Sequence, residues 1–199
     1  MNELEALNML LRLIGSSPVN NVDTPHPDAS NAKTTLNRIR RQAQRRGWWF
    51  NIDYNLTYSP DDVGNILIPD EISSLVAVDN NFFKRGKKLY NKYDNTFIFT
   101  GPVEIYREVR ILEWDDMPDC MKEHCAYLAG SQFVRDELED PQKQQDLNIS
   151  AGQAMIDVKK QDLEEGRYNT FNKSRVLQAR AGVQPYNRNN RRFHGDPDR

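Results

Sequence analysis

AKTTLNRIRRQAQRRGWWFN, running from Ala32 to Asn51, contains two hydrophobic periods and the point where one gives way to the other. Ala32, Leu36, Ile39 and Ala43, preceded by Ala29, recur at the three- and four-residue spacing of one helix face. The remaining surface of that helix holds Lys33, Arg38, Arg40, Arg41, Arg45 and Arg46 and no acid. Gly47 ends the run, as glycine commonly does just past a helix. From Trp48 the period is two, with Trp48, Phe50 and Ile52 on one side, the pattern of a strand. The stretch therefore predicts a helix over 29–46 that hands over to a strand over 48–52, and makes the chain α+β.

Toward the N-terminus, Asn2 and Glu5 have capping-box spacing, and Leu4, Leu7, Leu11 and Ile14 share a face before Gly15. A first helix over 2–15 follows. Pro18, Pro25 and Pro27 break the chain between the two helices. In the other direction, β-branched and aromatic residues continue in pieces. Candidate strands after the first are Ile66 to Ile68, Leu75 to Val78, Lys88 to Tyr90, Thr96 to Phe99 and Val103 to Ile111, with turns at Asp94-Asn95 and Gly101-Pro102. Pro118 then opens a helix over 117–139, and Asp140-Pro141 opens another over 141–165. The fold expected is a bundle of about four helices with a small antiparallel β region inserted at 48–112, all within one domain over 1–168. Residues 169–199 are expected to form an extended or disordered basic arm.

The 199 residues are 38% hydrophobic and 28% charged, and mean hydropathy is −0.80, so much of the chain stays in contact with water. The net charge of −2 conceals blocks of one sign. The basic helix stands against an acidic run of Glu113, Asp115, Asp116 and Asp119, and the tail from Lys173 carries Arg188, Arg191 and Arg192. Such blocks suit head-to-tail contact between copies, or are simply solvated faces. Cys120 and Cys125 sit five apart on one helix, where no disulfide closes. The acidic start MNELEALNML lacks a cleavage signal, and no apolar run approaches ~18 residues. The expectation is a chain made and folded in a cytoplasm, without a membrane segment.

Candidate chemistry is sparse. His26, His124 and His194 are far apart, and His124 beside Cys120 lacks a third and fourth ligand, so a structural role is the better reading and no metal or cofactor is expected. The acids at 113–119 could in principle serve a glycosidase, which needs two carboxylates across a cleft. Their place at the start of a helix, where negative charge meets the helix dipole, explains them more simply. Arg45 and Arg46 followed by Trp48 and Trp49 could stack on nucleic acid. A buried aromatic beside arginine equally suits a protein interface, which is the preferred reading. Arg38, Arg41, Arg45, Arg46, Arg188, Arg191 and Arg192 are the candidate interface residues.

Three stretches carry a family resemblance: LNMLLRLIGSSPV at Leu7 to Val19, AKTTLNRIRRQAQRRGWWFN at Ala32 to Asn51, and DDMPDCMKEHCAYLAGSQF at Asp115 to Phe133. In order and spacing they resemble the tail tubular protein A family of short-tailed bacteriophages. Met121 stands near a position where that family often has an aromatic. The resemblance spans roughly Leu4 to Leu138. It implies a structural, non-enzymatic virion protein of the podovirus tail, assembled in the host cytoplasm as a dodecameric ring. That ring would join the portal to the tail nozzle (tail tubular protein B), carry tail fibres and let DNA pass without sequence recognition during ejection and host entry. Gly15, Pro18, Gly47, Trp48 and Pro118 match the family as fold determinants. A glycan hydrolase associated with the phage tail is the alternative.

Overall fold

The computed structural model describes residues 1–180, with side chains described through 165. Two compact units are distinguished, Met1–Lys160 and Gln161–Arg199. Among the described residues the elements are α1 (Glu3–Leu13), α2 (Pro27–Gln44), β1 (Ile52–Tyr58), β2 (Ile72–Ala77), β3 (Phe82–Arg85), β4 (Lys88–Asn91), β5 (Val103–Arg110), α3 (Asp119–Glu137) and α4 (Pro141–Arg180). The α+β class is as expected: among the described residues helices flank a β region.

Both ends of α1 are closed by the residues that signalled them. Asn2 accepts from the Glu5 amide at 2.8 Å while Glu5 accepts from the Asn2 amide at 2.9 Å, a reciprocal cap that satisfies two otherwise orphaned donors. At the far end the Ser16 amide reaches Leu11 O at 3.0 Å and the Gly15 amide reaches Arg12 O at 3.2 Å, with Gly15 at φ 76. This is a Schellman closure, which needs a left-handed residue where glycine stands. α2 begins at Pro27, two residues before the expected start, because proline's fixed φ and missing N–H suit the first helical position. Leu7, Leu10, Leu11, Leu36, Ile39, Met121, Cys125 and Phe133 pack into one buried cluster with Trp48 and Trp114. Gly130 of α3 lets α1 approach closely, since a Cβ there would stand 2.9 Å from Leu13 Cδ1.

β1, β5 and β2 form an antiparallel sheet in that order, with Ile52 opposite Val109 and Tyr58 opposite Val103. β3 and β4 form a separate ribbon. Ile66, Ile68, Ile72, Leu89, Val103 and Ile105 make a second buried cluster under both.

Four expectations are corrected. Trp48 to Phe50 is a turn rather than a strand, because the Trp48 amide donates to Asn51 Oδ1 at 2.7 Å and the Asn51 amide to Trp48 O at 3.1 Å. The first strand starts at Ile52, and Trp48 is core for a different reason than alternation. The stretches 66–68 and 96–99 contribute only isolated bridges, Asn65 with Ile98, Leu67 with Lys88 and Asn91 with Thr96. β3 was not anticipated; its partner β4 was, and the two meet through Gly86 at φ 63. α4 continues past Gly166 to Arg180, so residues 169–180, expected to begin an extended arm, are helical, while 181–199 lie outside the described residues; a lone glycine inside a helix costs only ~1 kcal/mol relative to alanine and does not end it.

Gly47 and Gly15 give a matched test. Both have positive φ, but a Cβ on Gly47 would stand 2.9 Å from Val109 Cγ2 and press on Arg107, whereas nothing lies within 4 Å at Gly15. Gly15→Ala should cost about 1–2 kcal/mol, the left-handed penalty alone. Gly47→Ala should cost a further ~1–3 kcal/mol from overpacking. Urea denaturation of both variants measures the difference, and equal losses would remove the close-approach argument.

Candidate assembly interface

The chain leaves the helical part at 44–52 and returns at 110–113, and these two crossings are bonded to each other. Asn51, 2% exposed, sits between them. Its side-chain amide donates to Gln44 O at 3.1 Å and to Arg110 O at 2.7 Å, and its oxygen accepts the Trp48 amide. Gln44, fully buried, accepts the Leu112 amide at 2.8 Å and donates to Leu112 O at 3.1 Å. Arg40 donates to Leu112 O at 2.8 Å and pairs with Glu113. Every one of these polar side chains is buried and holds backbone, which is how a joint between two cores is kept in one geometry.

Arg40 is thus not part of the basic surface to which its block assigned it. Its position on the Leu36 and Ile39 side of α2 was the available signal. The other arginines are where a partner could reach them: Arg38 and Arg41 on α2, Arg45 at its C-cap and Arg46 just past it are all exposed. Among the described residues none of these four forms a salt bridge. Arg46 lies 5.0 Å from the centre of the Trp48 ring. Trp48 itself is buried and donates its indole N–H to Ala43 O at 2.8 Å, so it is not available as a stacking platform. Trp49 and Phe50 meet edge to face at 4.9 Å. Guanidinium groups on a helix anchored from beneath are suited to bidentate pairing with carboxylates or phosphates.

Of the fold determinants, Gly15 and Gly47 hold positive φ, Trp48 is core and Pro118 is the cap residue of α3, while Pro18 lies exposed in the first loop. Arg188, Arg191 and Arg192 lie outside the described residues. The acidic run is divided. Glu113 is engaged by Arg40, and Asp119 lies 3.5 Å from the N-terminal amine and 3.9 Å from Lys122. Asp115 and Asp116 remain on an exposed turn.

The buried carboxylate is one that sequence reasoning missed. Glu108 on β5 has no exposure, and accepts from Tyr58 Oη at 2.8 Å and Arg110 Nη2 at 3.0 Å. Alternation would place Glu104 and Glu108 on the same face, but the pairing of β5 with β2 shifts register between Ile105 and Arg107, and Tyr58 and Arg110 bond the second. Burial, and then the bond to Glu108, push the Tyr58 hydroxyl up to about 12. His124 bonds Ala151 O through Nδ1 at 2.8 Å, tying α3 to α4, and burial lowers its pKa. Among the described residues neither cysteine is in a disulfide, and burial pushes Cys125 up to about 12. Among the described residues no helix is long and apolar enough to cross a membrane.

The family described as tail tubular protein matches residues 4–180 of this chain. The chain is similar to a protein of Klebsiella phage KP34 named tail tubular protein A, with 31% identity over 121 residues. That match covers 60% of this chain and 64% of the phage protein, so the chain spans just under two thirds of its relative's length.

Replacing Asn51 by Ala should cost about 2–4 kcal/mol, because several buried backbone groups lose partners at ~1–3 kcal/mol each. Chemical denaturation checks this, and a loss below about 1 kcal/mol would mean the joint is dispensable. Tyr58 supplies a second check. Its proton is held more tightly in the folded chain than at the ordinary value of 10.0. The stabilisation it contributes is therefore complete below about pH 10 and lost as pH rises toward 12. Tyr58→Phe should flatten the stability curve in that window, and an unchanged alkaline slope would contradict the raised Tyr58 value.

Proposed function

Because this chain belongs to the tail tubular protein family, and is on that ground a structural component of a bacteriophage tail, we propose that it is the ring-forming adaptor between portal and tail nozzle. The family match over residues 4–180 carries this reading. The exposure of Arg38, Arg41, Arg45 and Arg46, which form no salt bridge among the described residues, supports it. The exposed guanidinium groups of α2 await carboxylates of a partner protein, and the joint beneath them fixes their positions before assembly. Copies joined head to tail close into a ring when the rotation between them closes, and a bore through that ring would pass DNA without reading its sequence. Arg188, Arg191 and Arg192 of the C-terminal arm pair with acidic surface on the portal or an adjacent copy, and tail fibres attach where ring and nozzle meet.

Light scattering of the purified chain, alone and then with the portal and nozzle proteins, measures this. The expected result is a ring mass, or a monomer that enters a ring once its partners are added. In the same series, a chain lacking residues 181–199 should lose portal binding. A full-length monomer indifferent to both partners would contradict the adaptor role, and portal binding unchanged by the deletion would remove the arm from it.

A further inference from the structure

The ribbon β3–β4 presents one face to its core and one outward. Phe83 lies opposite Tyr90 and Arg85 opposite Lys88, so alternation puts these four on one face and buried Leu89 on the other. On the outer face is a recess of about 410 Å³ lined by Phe83, Arg85, Tyr90, Lys92 and Asn95. Tyr90 forms its floor and donates its hydroxyl to Asn95 Oδ1 at 3.1 Å. The Arg85 guanidinium lies over that ring, its Cζ 3.6 Å from the ring centre. Phe83 is 47% exposed at its side.

Most cations of this region already have partners. Lys84 bonds Pro69 O and Ile72 O, Lys87 pairs with Asp70 at 2.5 Å, and Lys88 donates to Asn65 Oδ1 at 3.1 Å. Arg85 and Lys92 form no salt bridge among the described residues. A stacked guanidinium keeps its fork of donors free for a carboxylate. The recess therefore combines an aromatic floor with two positive charges that form no salt bridge among the described residues.

The same chain carries a matching projection. Asp115 and Asp116 are exposed and form no salt bridge among the described residues, unlike Glu113 and Asp119 on either side. Their turn is pinned at both ends, by Trp114 at 2% exposure and Met117 at 3%. Trp114 Nε1 also donates to Met1 O at 3.2 Å. Two carboxylates are thus held out on a fixed base. The α2 arginines are poorly placed to be their complement on a neighbouring copy: the Arg40–Glu113 pair sets α2 beside this turn, on the same part of the molecule. Complementary patches of a head-to-tail contact lie on different parts, and the recess, on the β cluster, satisfies that condition.

We propose that the Asp115-Asp116 turn of one copy seats in the Arg85–Lys92 recess of the next, forming the repeating contact of the ring. This rests on the ring-forming reading above. Charge reversal tests it, in the presence of whichever partners wild type needs to form its ring. Arg85→Glu with Lys92→Glu, and separately Asp115→Lys with Asp116→Lys, should each reduce the ring mass to that of single chains while circular dichroism stays native. Mixing the two variants in equal amounts should restore the ring, because each recess then meets a turn of opposite charge. Rings that persist in both variants, or folded variants that fail to reassemble on mixing, overturn this contact and leave the ring intact. Wild-type chains that stay single both alone and with portal and nozzle overturn the ring and the contact together.

Discussion

The structure depends on the buried side chain of Asn51. It holds the end of α2, the turn at Trp48 and the last residue of β5 through three hydrogen bonds. A chain that inserts a β region between two helices must cross twice between cores, and each crossing exposes backbone groups that neither core satisfies. Here each crossing satisfies the other. Gln44 and Arg40 extend the arrangement to Leu112 and Glu113, so the joint is made of side chains reading backbone. Individual bonds of this kind contribute little net stability, but leaving one unmade in a dry site is expensive. That asymmetry makes the joint all-or-none, and Gly47 is the residue small enough to let the crossings approach.

The consequence for assembly is positional. Two hydrophobic clusters, one helical and one beneath the sheet and ribbon, are held in a single relation within Met1–Lys160. Charges left unpaired on each are then presented at set places: arginines on α2, carboxylates on the turn before α3, cations on the ribbon. A subunit that binds neighbours pays less entropy when its contact groups are already placed.

Much of the helical part was legible in the sequence, because its signals are local. Asn2 with Glu5, Gly15, and the spacing of Leu36 and Ile39 each act within one or two turns, and each appears in the structure as read. The handover at Gly47 was legible too, but not its form. Trp48 and Phe50 alternate like a strand, and only Asn51, bonded to residue 110, shows that they belong to a turn. Arg40 and Glu108 were illegible for the same reason. A charged residue in an alternating or basic run reads as surface until a partner about 50 to 70 positions away covers it. β3 escaped because FFKR has too few residues to show a period, and α4 outran its expected end because glycine is a weak stop.

We propose that this chain closes into a ring in the tail between portal and nozzle. The most direct measurement is a cryo-electron microscopy reconstruction of intact virions, with the fold described here fitted into the tail density. A ring-forming adaptor gives one closed layer of copies between portal and nozzle, repeated around the bore, with α2 against a neighbouring chain. Density for the chain found only at the periphery of the tail, as isolated copies with α2 facing solvent, would contradict it.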